Sequence, residues 1–372
     1  MKKTLKRIVS NTYFYFLGFP KSVVNLLGNK KLYDPSGTYY PELKHKSKCA
    51  IIWDQIRLIA KWHSPEQYYF LYGFDVKSRK EQESYLPYGL FMKRRDYLNN
   101  RPNKKEQYSY TGILRDKFYF SIFMEKLGFN VPKTLGLFEH GNMYLLSENK
   151  VLPLSLIKPG RYICKPLDGI GGVGIVSLDV TKEGEVLIDN SRVERDSELV
   201  ERFKGQRYFV QERIEEQHPH MATLYGKSIN TLRVTTVRNP KNGQIELIGC
   251  MLLMGARGSV VSNWHYGGVI INVKEDGTLD KYGYSLYDRR ITCHPETKVV
   301  FDSFKVPHYD IAVKEAMRCH EIFYGVHSIG WDFAILPEGV MFIEGNDNWG
   351  MAAHQMVSGG LSDKFKKYFY AK

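Results

Sequence analysis

Asp332, Glu344 and Asn346 are the residues of this 372-residue chain whose types and spacing bear most directly on chemistry. They lie in Ile329 to Gly350, IGWDFAILPEGVMFIEGNDNWG, which reads as two short strands around a tight turn. Pro337 suits the first turn position and Gly339 a left-handed third, so a three-residue hairpin loop is expected. With Leu336 facing Val340, Ala334 falls opposite Phe342 and Asp332 opposite Glu344, with Cβ atoms about 4.5–5.5 Å apart. Asn346 shares that face because side chains alternate along a strand. Directly opposed carboxylates repel, so a cation is expected between them. Oxygen donors without His or Cys suit Mg²⁺, which takes few protein ligands and leaves positions for phosphate oxygens. The competing reading of this stretch alone is a solvated hairpin.

A second constellation begins at Lys165. The stretch Arg161 to Leu178, RYICKPLDGIGGVGIVSL, takes a strand bearing Lys165 into a loop containing Gly169, Gly171, Gly172 and Gly174. The β-branched Ile175-Val176 that follows predicts a second strand rather than a helix. Dinucleotide and Walker-type loops are therefore disfavoured, since both lead into a helix N-terminus. Glycines let backbone N–H groups approach phosphate oxygens, and a lysine on the preceding strand adds a point charge. By itself such a hairpin serves equally as a plain connection.

The elements that must position these groups are legible in outline. Apolar residues recur at helical spacing over Ile51 to Trp62, and Ser64-Pro65-Glu66 reads as the cap of a following helix. Asn99 to Ser109 reads as a polar linker, Leu114 to Glu125 as an amphipathic helix ending near Gly128, and Asn130 to Leu135 as the return to a strand. Tyr208 to Ile214 is a buried strand running into the polar cluster Glu215-Glu216-Gln217-His218. Ser228 to Val237 is a strand joined through Asn242-Gly243 to Ile245 to Met254. Arg233 sits among apolar neighbours there, where an arginine is usually paired or aimed at an anion.

Composition bounds the class. Hydrophobic residues at 43% and charged residues at 25% describe an ordinary globular protein, with room for two or three subdomains. The 53 basic against 40 acidic residues give a net charge of +13, which favours anionic partners. Five scattered cysteines show no CxxC spacing, so neither disulfides nor a zinc site is expected and a reducing cytoplasm is the simplest compartment. Residues 1–31 carry seven Lys or Arg and no acid. Their apolar run, Tyr13 to Phe19, is too short to span a bilayer and lacks the marks of a secretion signal. The segment is suited to a membrane interface, through Phe14, Phe16, Leu17 and Phe19, or to docking as a helix on its own domain.

In their order, these parts resemble the ATP-grasp superfamily: Lys117 on a helix, Lys165 with its glycine loop, Gln211-Glu212, Arg233, Asn263 with Gly267-Gly268, Asp332, and Glu344-x-Asn346. The resemblance covers roughly 111–360. The Asp116-Lys117 start, Ser-Ile-Asn-Thr-Leu-Arg and Glu-Gly-Asn are similar to the sugar-transfer-associated branch, related to enzymes thought to decorate surface polysaccharides. The resemblance implies an α+β fold in which two subdomains, 111–215 and 216–372, grip ATP, preceded by a basic aromatic segment (1–31) and a mostly helical region (32–110). It also implies roles. Lys117 and Lys165 contact nucleotide phosphates, and Gly169, Gly171, Gly172 and Gly174 cover them. Gln211 and Glu212 border adenine, and Glu215 reaches the ribose. Arg233, with Lys165, stabilises the transferred phosphoryl group, while Asp332, Glu344 and Asn346 hold Mg²⁺. Asp347-Asn348-Trp349-Gly350 departs from the Ser-Pro-Gly frequent in ligases at this point.

The implied reaction is an ATP- and Mg²⁺-dependent carboxylate-amine ligation through an acyl phosphate. It joins a small carboxylate such as an amino acid to a sugar or lipid-linked saccharide, in the cytoplasm or at the inner face of the membrane. One alternative is phosphate transfer to a sugar hydroxyl, with His265 or His354 as base. The other is a non-enzymatic anion- or nucleic-acid-binding protein. No nucleic-acid partner is expected, because no recognised motif or basic-aromatic platform accompanies the charge.

Overall fold

The computed structural model describes residues 14–100, 110–140, 142–153, 156–167, 174–193, 198, 201–203 and 206–370. Its helices are α1 (Phe19–Gly28), α2 (Lys48–Trp62), α3 (Arg79–Gln82), α4 (Tyr88–Asn99), α5 (Gly112–Arg115), α6 (Lys117–Lys126), α7 (Pro219–Leu224), α8 (Tyr309–Ile322), α9 (Met351–Ser358) and α10 (Ser362–Phe369). Contacts divide the chain into two units. The first takes the described residues up to Arg94, Tyr287–Arg290 and those from Gly350 onward. The second takes Arg95–Leu286 and Ile291–Trp349.

The first unit is built on α2. Ser47 Oγ accepts the Ala50 N–H at its start, and His63, left-handed at φ 65°, stops it. Leu26, Ile51, Leu58, Ile59, Tyr69, Tyr72 and Phe74 form its core. Ser64-Pro65-Glu66 does not open a helix, and residues 67–76 form successive turns. Gln55 on α2 holds this stretch: its side chain accepts the Glu66 N–H at 2.8 Å and donates to the Glu66 carbonyl at 3.0 Å. These bonds anchor the chain at Glu66, whose carbonyl also accepts the Tyr69 N–H at 3.3 Å in the turns that follow.

Two sheets follow, all of whose strand residues except Arg289 and Arg290 belong to the second unit. The strands of the first are β1 (Thr134–Glu139), β2 (Asn142–Leu145), β3 (Lys150–Pro153), β4 (Gly160–Pro166), β5 (Val176–Val180), β6 (Val186–Ile188), β7 (Ser191–Val193) and β8 (Tyr208–Glu212), in the order β3-β2-β1-β8-β4-β5-β6-β7. The second contains β9 (Thr231–Arg238), β10 (Ile245–Met254), β11 (Val269–Val273), β12 (Leu279–Ser285), β13 (Arg289–Ile291), β14 (Ser328–Leu336) and β15 (Gly339–Asn346), in the order β13-β12-β11-β10-β9-β14-β15. β14 is buried almost throughout, as a central strand covered on both faces must be. Helix α8 packs on β9, β10, β14 and β15, and α6 touches both β15 and β1, so it meets both sheets. The amphipathic stretch expected over Leu114 to Glu125 breaks at Asp116, whose carboxylate caps α6 through the Phe118 and Tyr119 N–H groups.

The hairpin that carries the candidate metal ligands differs in register from the expectation. Leu336 faces Gly339, Ile335 faces Val340 and Phe333 faces Phe342, so the loop holds two residues, Pro337 and Glu338, with Gly339 at φ +108°. A bulge at Ile343 then shifts the pairing and restores Asp332 opposite Glu344. The carboxylate pairing stands because the bulge offsets the shorter turn.

Candidate functional site

Three strands present one charged rung. Arg233 on β9 lies opposite Asp332 on β14, and Asp332 lies opposite Glu344 on β15. Arg233 engages Asp332 as a fork, Nε to Oδ1 at 2.6 Å and Nη2 to Oδ2 at 2.5 Å. Asn346 Nδ2 donates to Glu344 Oε1 at 2.9 Å. The arginine expected to be paired or aimed at an anion is thus paired with a candidate metal ligand, leaving Nη1 as the guanidinium nitrogen not committed to Asp332.

Electrostatics separate the two carboxyls. Burial pushes Asp332 up to about 6 despite the Arg233 guanidinium. Burial also opposes the Glu344 charge, but the Asn346 amide, Arg233 and Lys117 outweigh it and hold that carboxyl below its ordinary value. Part of the charge that opposed carboxylates call for is therefore supplied by the chain's own cations. For Arg233, burial works against the charge and Asp332 more than compensates, raising its pKa.

Lys165 faces this rung from the other sheet. Burial pushes its ammonium down to about 8, with Glu344 opposing the shift and Lys117 adding to it. Lys117, Lys165 and Glu344 thus act on one another although they belong to a helix and two different sheets. Arg233 keeps about 21% side-chain exposure and Lys165 and Glu344 are half-buried, so these deeply set groups still touch solvent. Charged groups of both signs in one deep, wet position are suited to binding a polyanion with a cation. A separate recess of about 470 Å³, bordered by His220, Lys305, His308 and Tyr309, contains none of them.

Gln211 is fully enclosed and its amide is engaged on both sides. Its Oε1 accepts from Lys165 Nζ at 3.0 Å, while Nε2 donates to Ser121 Oγ at 2.9 Å, the Pro132 carbonyl at 3.2 Å and Thr134 Oγ1 at 3.3 Å. Glu212 is exposed at the end of β8. Glu215 pairs with Arg161 at 2.5 Å and with Arg213 at 3.2 Å. Gly174, at φ +76°, leads into β5, so the glycine loop joins two antiparallel strands as expected. Gly169, Gly171 and Gly172 lie outside the described residues. Of the two histidines considered as bases, His265 is exposed after Asn263, and His354 is buried in α9 within the first unit.

Sequence reasoning passed over the groups that hold the chain after β15. Buried Asp347 accepts Arg115 Nη2 at 2.7 Å and Nε at 3.1 Å, tying this segment to the turn before Lys117. Asn99 Nδ2 donates to the carbonyls of Asp347 at 2.8 Å and Ser328 at 3.1 Å, and its Oδ1 accepts the Ser328 N–H at 3.0 Å. Asn99 is therefore a buried helix residue and not the start of a polar linker; residues 101–109 lie outside the described residues. Gly345 has a packing reason, since a Cβ there would stand 2.8 Å from both Leu114 and Trp331. An Asn at the start of the expected linker and a glycine between two candidate ligands were the available signals.

Asp332, Glu344 and Asn346 fit a hard divalent cation by donor chemistry: two carboxylates directly opposed and an amide two residues along. Here Asp332 is taken by Arg233 and Asn346 turns its nitrogen toward Glu344; as a ligand Asn346 would present Oδ1. Among the described residues no group of three or more His, Cys, Asp and Glu side chains is arranged to hold a metal.

Residues 93–367 match the model of a family described as sugar-transfer associated ATP-grasp, and the chain belongs to that family. No curated protein matches it. Among solved structures, it is similar to D-alanine–D-alanine ligase from Bacillus anthracis at 11% identity, over 70% of this chain and 69% of that one, with a TM-score of 0.38. It is also similar to an L-amino acid ligase from Bacillus licheniformis at 13% identity, over 70% and 46% of the two chains, with a TM-score of 0.36. The biotin carboxylase domain of Hydrogenobacter thermophilus 2-oxoglutarate carboxylase, in complex with MgADP, matches at 13% identity over 77% and 53%, with a TM-score of 0.39. Likeness at this distance carries no residue assignments.

Proposed function

We propose that this sugar-transfer associated ATP-grasp enzyme is a ligase joining a small carboxylate, such as an amino acid, to an amine on a sugar or lipid-linked saccharide at the expense of ATP. The observation that carries the reading is the meeting of Lys117 and Lys165 with the Arg233–Asp332–Glu344 rung, which gathers cations for phosphates beside a carboxylate pair for a metal.

In this proposal 111–215 clamps the nucleotide and 216–372 provides the metal-binding side. Lys117 and Lys165 bind the phosphates, with Gly169, Gly171, Gly172 and Gly174 covering them. Gln211 and Glu212 border the adenine and Glu215 the ribose. Asp332, Glu344 and Asn346 would hold Mg²⁺, which when bound neutralises phosphate oxygens. A carboxylate oxygen of the donor attacks the γ-phosphorus, ADP leaves, and the amine then displaces phosphate from the acyl carbon and loses a proton. Arg233 and Lys165 stabilise the charge on the transferred group. The enzyme works in the cytoplasm, at the inner face of the membrane where a lipid-linked acceptor is presented.

The test incubates the protein with Mg·ATP, amino acids and amino-sugar acceptors and reads products by mass spectrometry. ADP, phosphate and an amide are expected. A phosphorylated sugar would establish the phosphotransferase alternative instead, and absence of turnover with every acceptor would favour a binding protein.

A further inference from the structure

Helix α1 is apolar on two opposite sides. Phe19, Val23 and Leu26 turn into the first unit's core, where Leu26 is fully buried, and Phe14 in the preceding turn stacks on His63 with ring centroids 4.0 Å apart. The other side is bare. Phe16 is 77% exposed, Leu17 60%, Val24 68% and Leu27 51%. At 3.6 residues per turn, Lys21 and Leu27 fall within about 60° of Val24 on α1, so they make one stripe, and Phe16 and Leu17 are exposed in the π-helical turn that precedes it. A docked helix ordinarily shows one apolar face and one polar face. Here the sequence expectation divides: Phe14 and Phe19 serve the docked helix, while Phe16 and Leu17 join Val24 and Leu27 outside.

Within residues 14–33 every charged side chain is basic, and the first acid in the sequence, exposed Asp34, lies within electrostatic reach of Lys30. Lys21, Lys30 and Lys31 are exposed beside the stripe. An identical copy would bring lysines against lysines, whereas anionic headgroups would neutralise them while the apolar side chains enter the acyl boundary. A ten-residue helix is about 15 Å long and lies along a bilayer surface; among the described residues no helix is long and apolar enough to cross one.

We infer that the exposed apolar side chains Phe16, Leu17, Val24 and Leu27, with Lys21, Lys30 and Lys31, dock on an anionic lipid bilayer. The inference deepens the membrane location proposed above and rests on that reading only for its purpose, since it needs nothing from the nucleotide site. The test is co-sedimentation of the full chain with phosphatidylserine-containing and pure phosphatidylcholine vesicles at low and high salt. The triple variant K21E/K30E/K31E and the double variant V24S/L27S are run alongside. Each lysine accounts for about fivefold in partitioning, so the triple variant should lose roughly a hundredfold on anionic vesicles. The serine pair should lose about tenfold or more at either salt concentration. Binding should weaken with salt and be poor on neutral vesicles. Unchanged thermal unfolding of both variants establishes that the fold is kept. Equal sedimentation of wild type and variants, or equal binding to neutral and anionic vesicles, overturns the inference. So does a concentration-dependent dimer abolished by V24S/L27S without vesicle binding, which assigns the face to a second copy. ATP turnover with a soluble acceptor is the separate readout: its absence in a chain that binds vesicles counts against the ligase reading alone.

Discussion

Arg233 and Asp332 lie directly opposite each other on adjacent strands and share a two-pronged ion pair, with Nε to Oδ1 at 2.6 Å, in the interior of the second sheet. A pair so placed is costly to break from one side, because the partner is left buried and charged. Arg233→Met should lower unfolding free energy by about 3 kcal/mol in urea titration. Arg233→Met with Asp332→Leu should recover most of that loss without recovering turnover. A single variant as stable as wild type would show that the pair is not formed in solution.

Glu344→Gln should reduce Mg-dependent turnover by about a hundredfold or more, as loss of a transition-state charge partner does. Because Arg233 and Lys117 favour the Glu344 charge, its removal should leave apo stability lower by about 1 kcal/mol or less, rather than relieve repulsion between carboxylates. Isothermal titration of Mg·ADP and thermal unfolding check the two effects. Retained Mg dependence would remove Glu344 from the metal site.

In the proposed role Lys165 must be charged to attract phosphate, and burial brings its pKa down to about 8. The free-enzyme profile of kcat/KM for ATP should therefore fall as pH rises through about 8. Stability has the opposite sign. The unfolded chain binds more protons between about 8 and the ordinary lysine value of 10.5, so the Lys165 contribution improves as pH rises through that window. Lys165→Arg should remove the alkaline limb; a limb that persists belongs to another group.

Gln211 accepts from Lys165 Nζ at 3.0 Å and donates to Ser121 on α6 at 2.9 Å, so it positions that lysine. Gln211→Leu should cost about 1–3 kcal/mol, since buried partners lose their bonds, with a larger fall in kcat/KM for ATP than stability explains. Gln211→Glu should move the alkaline limb to higher pH, because a carboxylate favours the ammonium. A limb that stays in place in Gln211→Glu would separate Gln211 from the Lys165 function.

His320 is held neutral in the core, where burial pushes its pKa down to about 3. Its Nε2 bonds the Val326 carbonyl at 3.0 Å and its Nδ1 meets Thr236 Oγ1 at 2.8 Å. The unfolded chain binds the extra proton below about 6.5, so stability should fall as pH drops from there towards 3. His320→Gln should flatten this part of the acid unfolding curve, followed by fluorescence. An unchanged curve would place the acid-labile group elsewhere.

The sequence by itself determined the local pieces of this protein. Alternation along 328–346 and the punctuation at Pro337 to Gly339 fix a hairpin with Asp332, Glu344 and Asn346 on it. The β-branched residues after the glycine run fix a strand–loop–strand around Lys165, and the order of these pieces resembles the family to which the chain belongs. Such features are set by neighbours within a few residues, where periodicity and turn chemistry act. Tertiary structure alone decided which distant groups meet. The bulge at Ile343 follows from pairing with β14, and Arg115 reaches Asp347 across 232 positions. Gln55 bonds both backbone groups of Glu66 from α2. Lys117, Lys165 and Glu344, on α6, β4 and β15, act on one another across long sequence separations. Burial and long-range pairing carry no local period, so the charge states of these groups belong to the fold and not to the string of residues.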